Sequence, residues 1–354
     1  MQLIEFRARL RRLGALPKHE GRILRDWVQA RPHDAGKRRP ENFLPLALRE
    51  ALPALDAELD ALARVRSEHP AEDGSMRLLV ALGDGQTVES VILPGREKTG
   101  GVCVSSQVGC AVGCQFCMTG REGLIRQVTS AEIVAQVVLA RRRRAVVNKV
   151  VFMGMGEPAH NLENVMEAIE LLGIEGNIGH KNLVFSTVGD PRVFERLPQG
   201  PVKPALALSL HTSKPALREQ LLPRAPRLSP REIVSAGEAY ARLSGYPVQY
   251  QWTLIEGVND GEDEMDGIVE LLKGKYGVLN MIPYNTIPDL AFKRPSWERA
   301  REIAQALHQR GVLTKLRDSA GQDVEGGCGQ LRARAAAPLS RRHIPVRAAG
   351  RASA

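Results

Sequence analysis

The chain has 354 residues, 43% of them apolar, and a formal net charge of +9. That length and apolar content allow one large catalytic domain with a smaller appendage and exclude a disordered chain. No apolar run reaches the roughly 18 residues needed to span a bilayer, and charge interrupts the amino terminus too early for a secretory signal, so a cytoplasmic protein without membrane contact is expected. The positive balance favours an anionic partner such as nucleic acid, although a merely basic soluble enzyme carries the same charge.

Residues 1–70 read as a small amino-terminal helical domain. Leu3, Phe6, Leu10 and Leu13 recur at helical spacing, as do Leu44, Leu46, Leu48 and Leu52. Between them, residues 31–41 are rich in Pro, Gly and charge and read as a loop. Residues 71–100 read as a β-hairpin extension, with β-prone runs over 76–83 and 87–93 around Gly83-Asp84-Gly85. From 101 to 331 the pattern alternates, with strands expected over 102–107, 149–153, 182–187, 205–210, 248–255 and 278–283. Helices are expected over 131–144, 161–172, 230–243, 263–272 and 296–310, the first opened by a Thr129/Glu132 capping box. Repeated βα units imply parallel strands with right-handed crossovers. Six units, not eight, make this an α/β partial (βα)6 TIM-like barrel with its site at the carboxyl ends of the strands. The four arginines at 141–144 could contact phosphates, or could complement a helix dipole. The tail over 332–354 has six arginines and no acid, and reads as a flexible basic arm or an inert solvated end.

Three of the five cysteines crowd into Cys110-Ala-Val-Gly-Cys114-Gln-Phe-Cys117, on the loop after the first barrel strand. Soft thiolates there suit zinc or iron–sulfur. Structural zinc wants four closed ligands and no fourth Cys or His lies nearby, whereas a cubane held by three cysteines leaves one iron open. C-x₃-C-x₂-C with an aromatic before the last cysteine resembles the signature of the radical S-adenosylmethionine superfamily. That resemblance implies a [4Fe–4S] cluster on Cys110, Cys114 and Cys117, chelated at its open iron by S-adenosylmethionine and cleaving it to a 5′-deoxyadenosyl radical. Later strand ends carry Gly156 and Glu157 in Met153-Gly-Met-Gly-Glu-Pro158, then Ser186, then Ser209-Leu210-His211, then Asn285. Glycines let backbone approach a ligand closely and Glu157 can accept from an ammonium, so these residues are expected to bind the cofactor.

Cys103 lies seven residues before the cluster loop, and Cys328 lies far away between glycines that would leave it mobile and accessible. The segments 102–110, GMGEP, SLH and CGQL together resemble the RlmN/Cfr family of radical S-adenosylmethionine RNA adenine methyltransferases, over residues 76–331. The resemblance implies that Cys328 takes a methyl group from one S-adenosylmethionine, that a radical from a second activates it toward adenine C2, and that Cys103 resolves the RNA adduct through a transient disulfide. It also implies a general base at Glu89, an electron donor such as flavodoxin, and a monomer. The RNA implied is 23S ribosomal RNA and possibly transfer RNA. A C8-directed methyltransferase is the neighbouring enzymatic reading, and a non-catalytic metal-stabilised RNA-binding protein the reading from another class.

Overall fold

The computed structural model describes residues 1–35, 39–96, 99–121, 123–144, 146–288 and 290–332. Helices α1 (Leu3–Arg12), α2 (Pro17–Val28) and α3 (Leu46–Ala61) open the chain. Leu3, Phe6 and Leu10 line one side of α1, and Leu48, Leu52, Leu55 and Leu59 one side of α3; all are buried, because residues three and four apart share a helix face. Leu46, which the spacing put on that stripe, is exposed at the first turn of α3. These helices have no separate core. Their buried side chains join one apolar cluster that continues through the barrel to Leu331.

Residues to 70 were expected to be helical, but β1 (Ala63–Pro70) is a strand. It is an edge strand whose inward side carries Val65, Ser67 and His69, so its period of two shows little apolar contrast. It pairs antiparallel with β2 (Met76–Leu82), which pairs antiparallel with β3 (Thr87–Arg96) around a turn where Gly85 has φ of 84°. The expected hairpin is therefore one part of a three-stranded extension.

β3 in turn pairs with β4 (Thr99–Cys103), which begins the barrel. The strand expected over 102–107 is broken: β4 ends at Cys103, and Gln107–Gly109 (β5) pairs instead with β6 (Leu124–Gln127) in a small second sheet. There follow α4 (Ser130–Arg141), β7 (Lys149–Phe152), α5 (Leu162–Ile174), β8 (Leu183–Thr187), α6 (Pro191–Arg196) and β9 (Ala205–Ser209). Next come α7 (Pro215–Leu221), α8 (Pro230–Ser244), β10 (Val248–Leu254), α9 (Glu262–Leu272), β11 (Gly277–Pro283), α10 (Trp297–Gln309) and β12 (Thr314–Leu316). Strands β4, β7, β8, β9, β10, β11 and β12 are parallel neighbours in that order. The six expected βα units are present, with β12 as a seventh short parallel strand and two short helices, α6 and α7, that no periodicity announced. Among the described residues the sheet stays open, with β1 and β12 at its edges. It is a partial barrel.

Capping boxes at Thr129/Glu132 and Ser229/Glu232 start α4 and α8. The arginine run after α4 is engaged with protein. Arg141 donates to the carbonyls of Val28, Val147 and Gly176, Arg142 pairs with Asp60, Arg143 with Glu68, and Arg144 donates to Leu93 and Gly74. These guanidiniums fasten the amino-terminal helices and the strand extension to the barrel. Beyond Arg332 the basic tail lies outside the described residues. No described helix is long and apolar enough to cross a membrane.

Candidate active site

Side chains at the carboxyl ends of parallel barrel strands face a common mouth. There a cavity of about 160 Å³ is lined by Cys110, Cys114 and Cys117 on one side, and by Gly156, Glu157, Ser186, Ser209 and His211 around the strand ends. Cys328 and Gly329 reach it from the carboxyl-terminal loop. Larger clefts of about 500 and 570 Å³ lie along α5 outside the barrel and contain no cysteine.

The three cluster cysteines sit on the loop between β5 and β6, with the Cys117 amide donating to the Cys114 carbonyl at 3.1 Å. Burial pushes the Cys110 thiol up to about 12 and the Cys114 thiol well above the ordinary range; neighbouring cysteines and Glu157 raise both. Three thiols crowded with a carboxylate call for a cation, and soft sulfur calls for iron or zinc. Among the described residues no three His, Cys, Asp or Glu side chains converge on one ion position. A cubane asks for less convergence, because each cysteine binds a different iron. The donor set therefore fits a [4Fe–4S] cluster.

The glycines of the next strand end serve the scaffold as well as the cavity. A Cβ on Gly154 would stand 2.7 Å from the Val104 carbonyl oxygen, and one on Gly156, whose φ is 103°, would stand 2.6 Å from Gln107. Backbone packs here against the segment joining β4 to β5, so only glycine is accommodated. Glu157 is buried and its carboxyl is raised to about 7 by burial, despite accepting from the amides of Ala159 and Val188, both at 3.1 Å. The Glu157 amide donates to Gln107 at 2.7 Å. Gln107 was not singled out by sequence.

His211 has a left-handed φ of 62°. Its Nδ1 accepts from the Thr253 amide at 3.0 Å, and its ring meets Phe116 edge-on at 4.8 Å. Burial, reinforced by Arg218, lowers it to about 3, so it is neutral. With Nδ1 accepting, Nε2 carries the proton. Leu210 does not line the cavity; its carbonyl and that of Ser209 accept from Arg218, at 2.8 and 2.7 Å, and Arg218 also reaches the Val188 carbonyl. Sequence gave no sign of this buried arginine, since a cation on a short helix is normally solvated.

The carboxyl-terminal loop was expected to be mobile around Cys328. The side chain is exposed, but the backbone is held. The Gly329 carbonyl accepts from Met118 at 2.7 Å, and the Leu331 carbonyl from Thr119 Oγ1 at 2.6 Å. Asn285 does not line the cavity either. Its Nδ2 donates to the Cys328 carbonyl at 2.9 Å and to Ser319 Oγ at 2.8 Å. A Cβ on Gly327 would stand 2.9 Å from that same Asn285 nitrogen, so the glycine answers to close packing and not to freedom.

Glu89 is fully buried on β3, paired with Arg77, and accepts from the Arg332 amide at 2.9 Å. Arg77 also donates to the Val324 carbonyl at 2.5 Å. The pair thus clamps both ends of the Cys328 loop and is not part of the cavity lining. Cys103, on the inner face of β4, packs with Val151 and Val184. Burial and, after it, Cys328 raise it to about 12, which sets the two thiols within electrostatic reach. All five cysteines are free thiols.

Residues 104–272 match the Radical SAM superfamily model. The chain is 71% identical over 342 residues, 97% of each chain, to a probable RNA methyltransferase of Leptothrix cholodnii. It is 65% identical over 351 residues to one of Pseudomonas aeruginosa, covering 99% of this chain and 100% of that one. Among solved structures it is similar to a radical SAM methyltransferase from Sphaerobacter thermophilus, with a TM-score of 0.80 and 34% identity, covering 94% of this chain and 98% of that one.

Proposed function

The chain belongs to the radical SAM superfamily, and we propose that it is an RNA methyltransferase acting at C2 of an adenosine in 23S ribosomal RNA, and in transfer RNA, through a methyl group carried on Cys328. The observation that carries this reading is the meeting of two kinds of cysteine at one cavity. Three cysteines share the cluster loop, and a fourth, Cys328, lines the same cavity on a loop held against it, its side chain exposed. The RNA methyltransferase names of relatives that align along nearly the whole chain support the substrate class.

Cys110, Cys114 and Cys117 would hold the cluster, and Gly156, Glu157, Ser186, Ser209 and His211 would hold S-adenosylmethionine beside it. When bound, these groups supply a methyl cation equivalent and, from a second S-adenosylmethionine and one electron of a donor such as flavodoxin, a hydrogen-abstracting radical. Adenine C2 is not nucleophilic, so a methyl carrier on the protein is needed. Cys328 serves as that carrier once its thiol loses a proton. Protein packed around the sulfur raises this thiol even though the residue is open to solvent on its other side, whereas Ser319 and Arg317 pull it down. Asn285 fixes the Cys328 carbonyl and hence the direction of the side chain. Cys103 lies within electrostatic reach of Cys328. As a thiolate it attacks the Cys328 sulfur, and the sulfur–methylene bond to the base breaks. The electron pair goes to the methylene carbon, which takes a proton to become the new methyl group, and a Cys103–Cys328 disulfide remains. Glu89 positions the loop through Arg332, in place of the general-base role its family match implies. The enzyme acts as a monomer in the cytoplasm.

Peptide mass spectrometry tests this directly. Anaerobically loaded enzyme incubated with methyl-deuterated S-adenosylmethionine should carry the labelled methyl group on Cys328 and lose it in Cys328→Ala. Label on another residue, or none, would contradict the carrier role.

A further inference from the structure

Charged side chains on the inner wall of a barrel need partners, because that wall is ordinarily filled by packed apolar groups. Here the register puts three cations on it. In a parallel sheet, residues paired across neighbouring strands share a face, and faces alternate along each strand. Val151 packs in the inner cluster with Val184, Ala205 and Ala207, so Lys149, two residues earlier on β7, is on the same face. Lys315 on β12 pairs with Asn280 on β11. The Arg317 amide donates to the Met281 carbonyl at 2.9 Å, which carries that register past β12 and sets Arg317 beside Ile282. Ile282 lines the active-site cavity, so Asn280, Lys315 and Arg317 share the inner face.

Lys315 and Arg317 are nevertheless exposed and Lys149 is half-buried. The inner wall is thus open to solvent along the edge formed by β12. Among the described residues none of the three side chains has a hydrogen bond or ion pair. They oppose one another: burial, then Arg317 and Lys315, lower the proton affinity of Lys149. Arg317 also acts on the Cys328 thiol, which brings this end of the row to the methyl carrier. Like charges gathered without a counter-charge cost stability, and a bound anion relieves that cost.

We propose that Lys149, Lys315 and Arg317 form a phosphate track on the open inner wall, taking successive phosphodiester groups of the strand whose nucleotide is presented to Cys328. This rests on the RNA reading above and adds where the backbone lies. Lys315 and Arg317 stand two residues apart, roughly 6–7 Å along a strand, comparable with the step between phosphates of an extended single strand. A lone carboxylate would occupy one of the cations and leave the others uncompensated.

The test uses the full chain and a labelled poly(A) oligoribonucleotide, with affinity measured against potassium chloride concentration. Each phosphate contact on a single strand contributes about 0.7 to the slope of log affinity against log salt. Lys315→Gln and Arg317→Gln should each reduce the slope by about 0.7, and the triple variant with Lys149→Gln by about 2. Lys315→Arg should keep it, as should Arg301→Gln on the outer face of α10. Melting temperatures should stay level or rise as repulsion is relieved. Unchanged slopes with weakened S-adenosylmethionine binding would assign the cations to the cofactor carboxylate and overturn the track. Lower melting temperatures with unchanged slopes would make the cluster structural and overturn it equally. Wild-type protein that does not bind the oligoribonucleotide at all would instead remove the RNA reading, and the track with it.

Discussion

Replacing Arg77 by Met should loosen the Cys328 loop and destabilise the protein together. The Arg77 and Glu89 side chains are 5% and 0% exposed, so each removal leaves its partner as a buried charge, at about 3–5 kcal/mol. Glu89→Gln can still hydrogen-bond the Arg332 amide but leaves the guanidinium unbalanced, and belongs in the same range. The double variant Arg77→Met/Glu89→Gln removes both charges and should lose far less than the sum, within about 1 kcal/mol of wild type apart from the lost loop bonds. Urea unfolding of the four proteins gives the coupling, and the rate at which Cys328 reacts with a thiol reagent reports the loop. Arg77→Met should speed that reaction, because the Val324 carbonyl loses its donor. Single variants that cost less than about 1 kcal/mol, or a double variant equal to the sum, would refute the clamp. Glu89→Gln that abolishes turnover without touching stability or thiol reactivity would restore the general-base assignment.

Two other outcomes follow from the geometry. Protein prepared without oxygen should carry about four iron atoms per chain, and Cys114→Ala should lose them; stoichiometric zinc with no iron would contradict the cluster. In the amino-terminal helices, His33 bridges Asp26 and Asp56 at 3.2 and 3.0 Å and is raised to about 9, first by its hydrogen bonds to those two carboxylates. A group raised on folding stabilises fully below its unfolded value near 6.5 and loses that contribution as pH rises through 9. With Asp56 half exposed, wild type should exceed His33→Gln by about 1–2 kcal/mol near pH 6. The gap should close at about pH 10, and a pH-independent gap in urea titrations would show that the bridge is not ionic.

The barrel was legible where local chemistry repeats. Apolar runs with capping residues located six parallel strands and five of the helices, and the tight spacing of Cys110, Cys114 and Cys117 located the mouth. What escaped was either short or long-range. β1 hid because an edge strand needs few apolar residues, and α6 and α7 because one or two turns show no period. Asn285 sat among the expected site residues as a polar residue closing a strand, and Glu89 on family resemblance, yet their partners, Cys328 and Arg332, lie 43 and 243 residues away. A sequence cannot reveal that those side chains hold a loop and do not face the cavity. The glycines around Cys328 misled for a related reason: local freedom was inferred where tertiary contact demanded the absence of a Cβ.

The central claim is tested most directly by nucleoside mass spectrometry of 23S ribosomal RNA and transfer RNA from cells with and without this protein. The account predicts 2-methyladenosine that disappears with the gene and returns with the wild-type chain but not with Cys328→Ala. Unchanged 2-methyladenosine, or loss of 8-methyladenosine in its place, would contradict it.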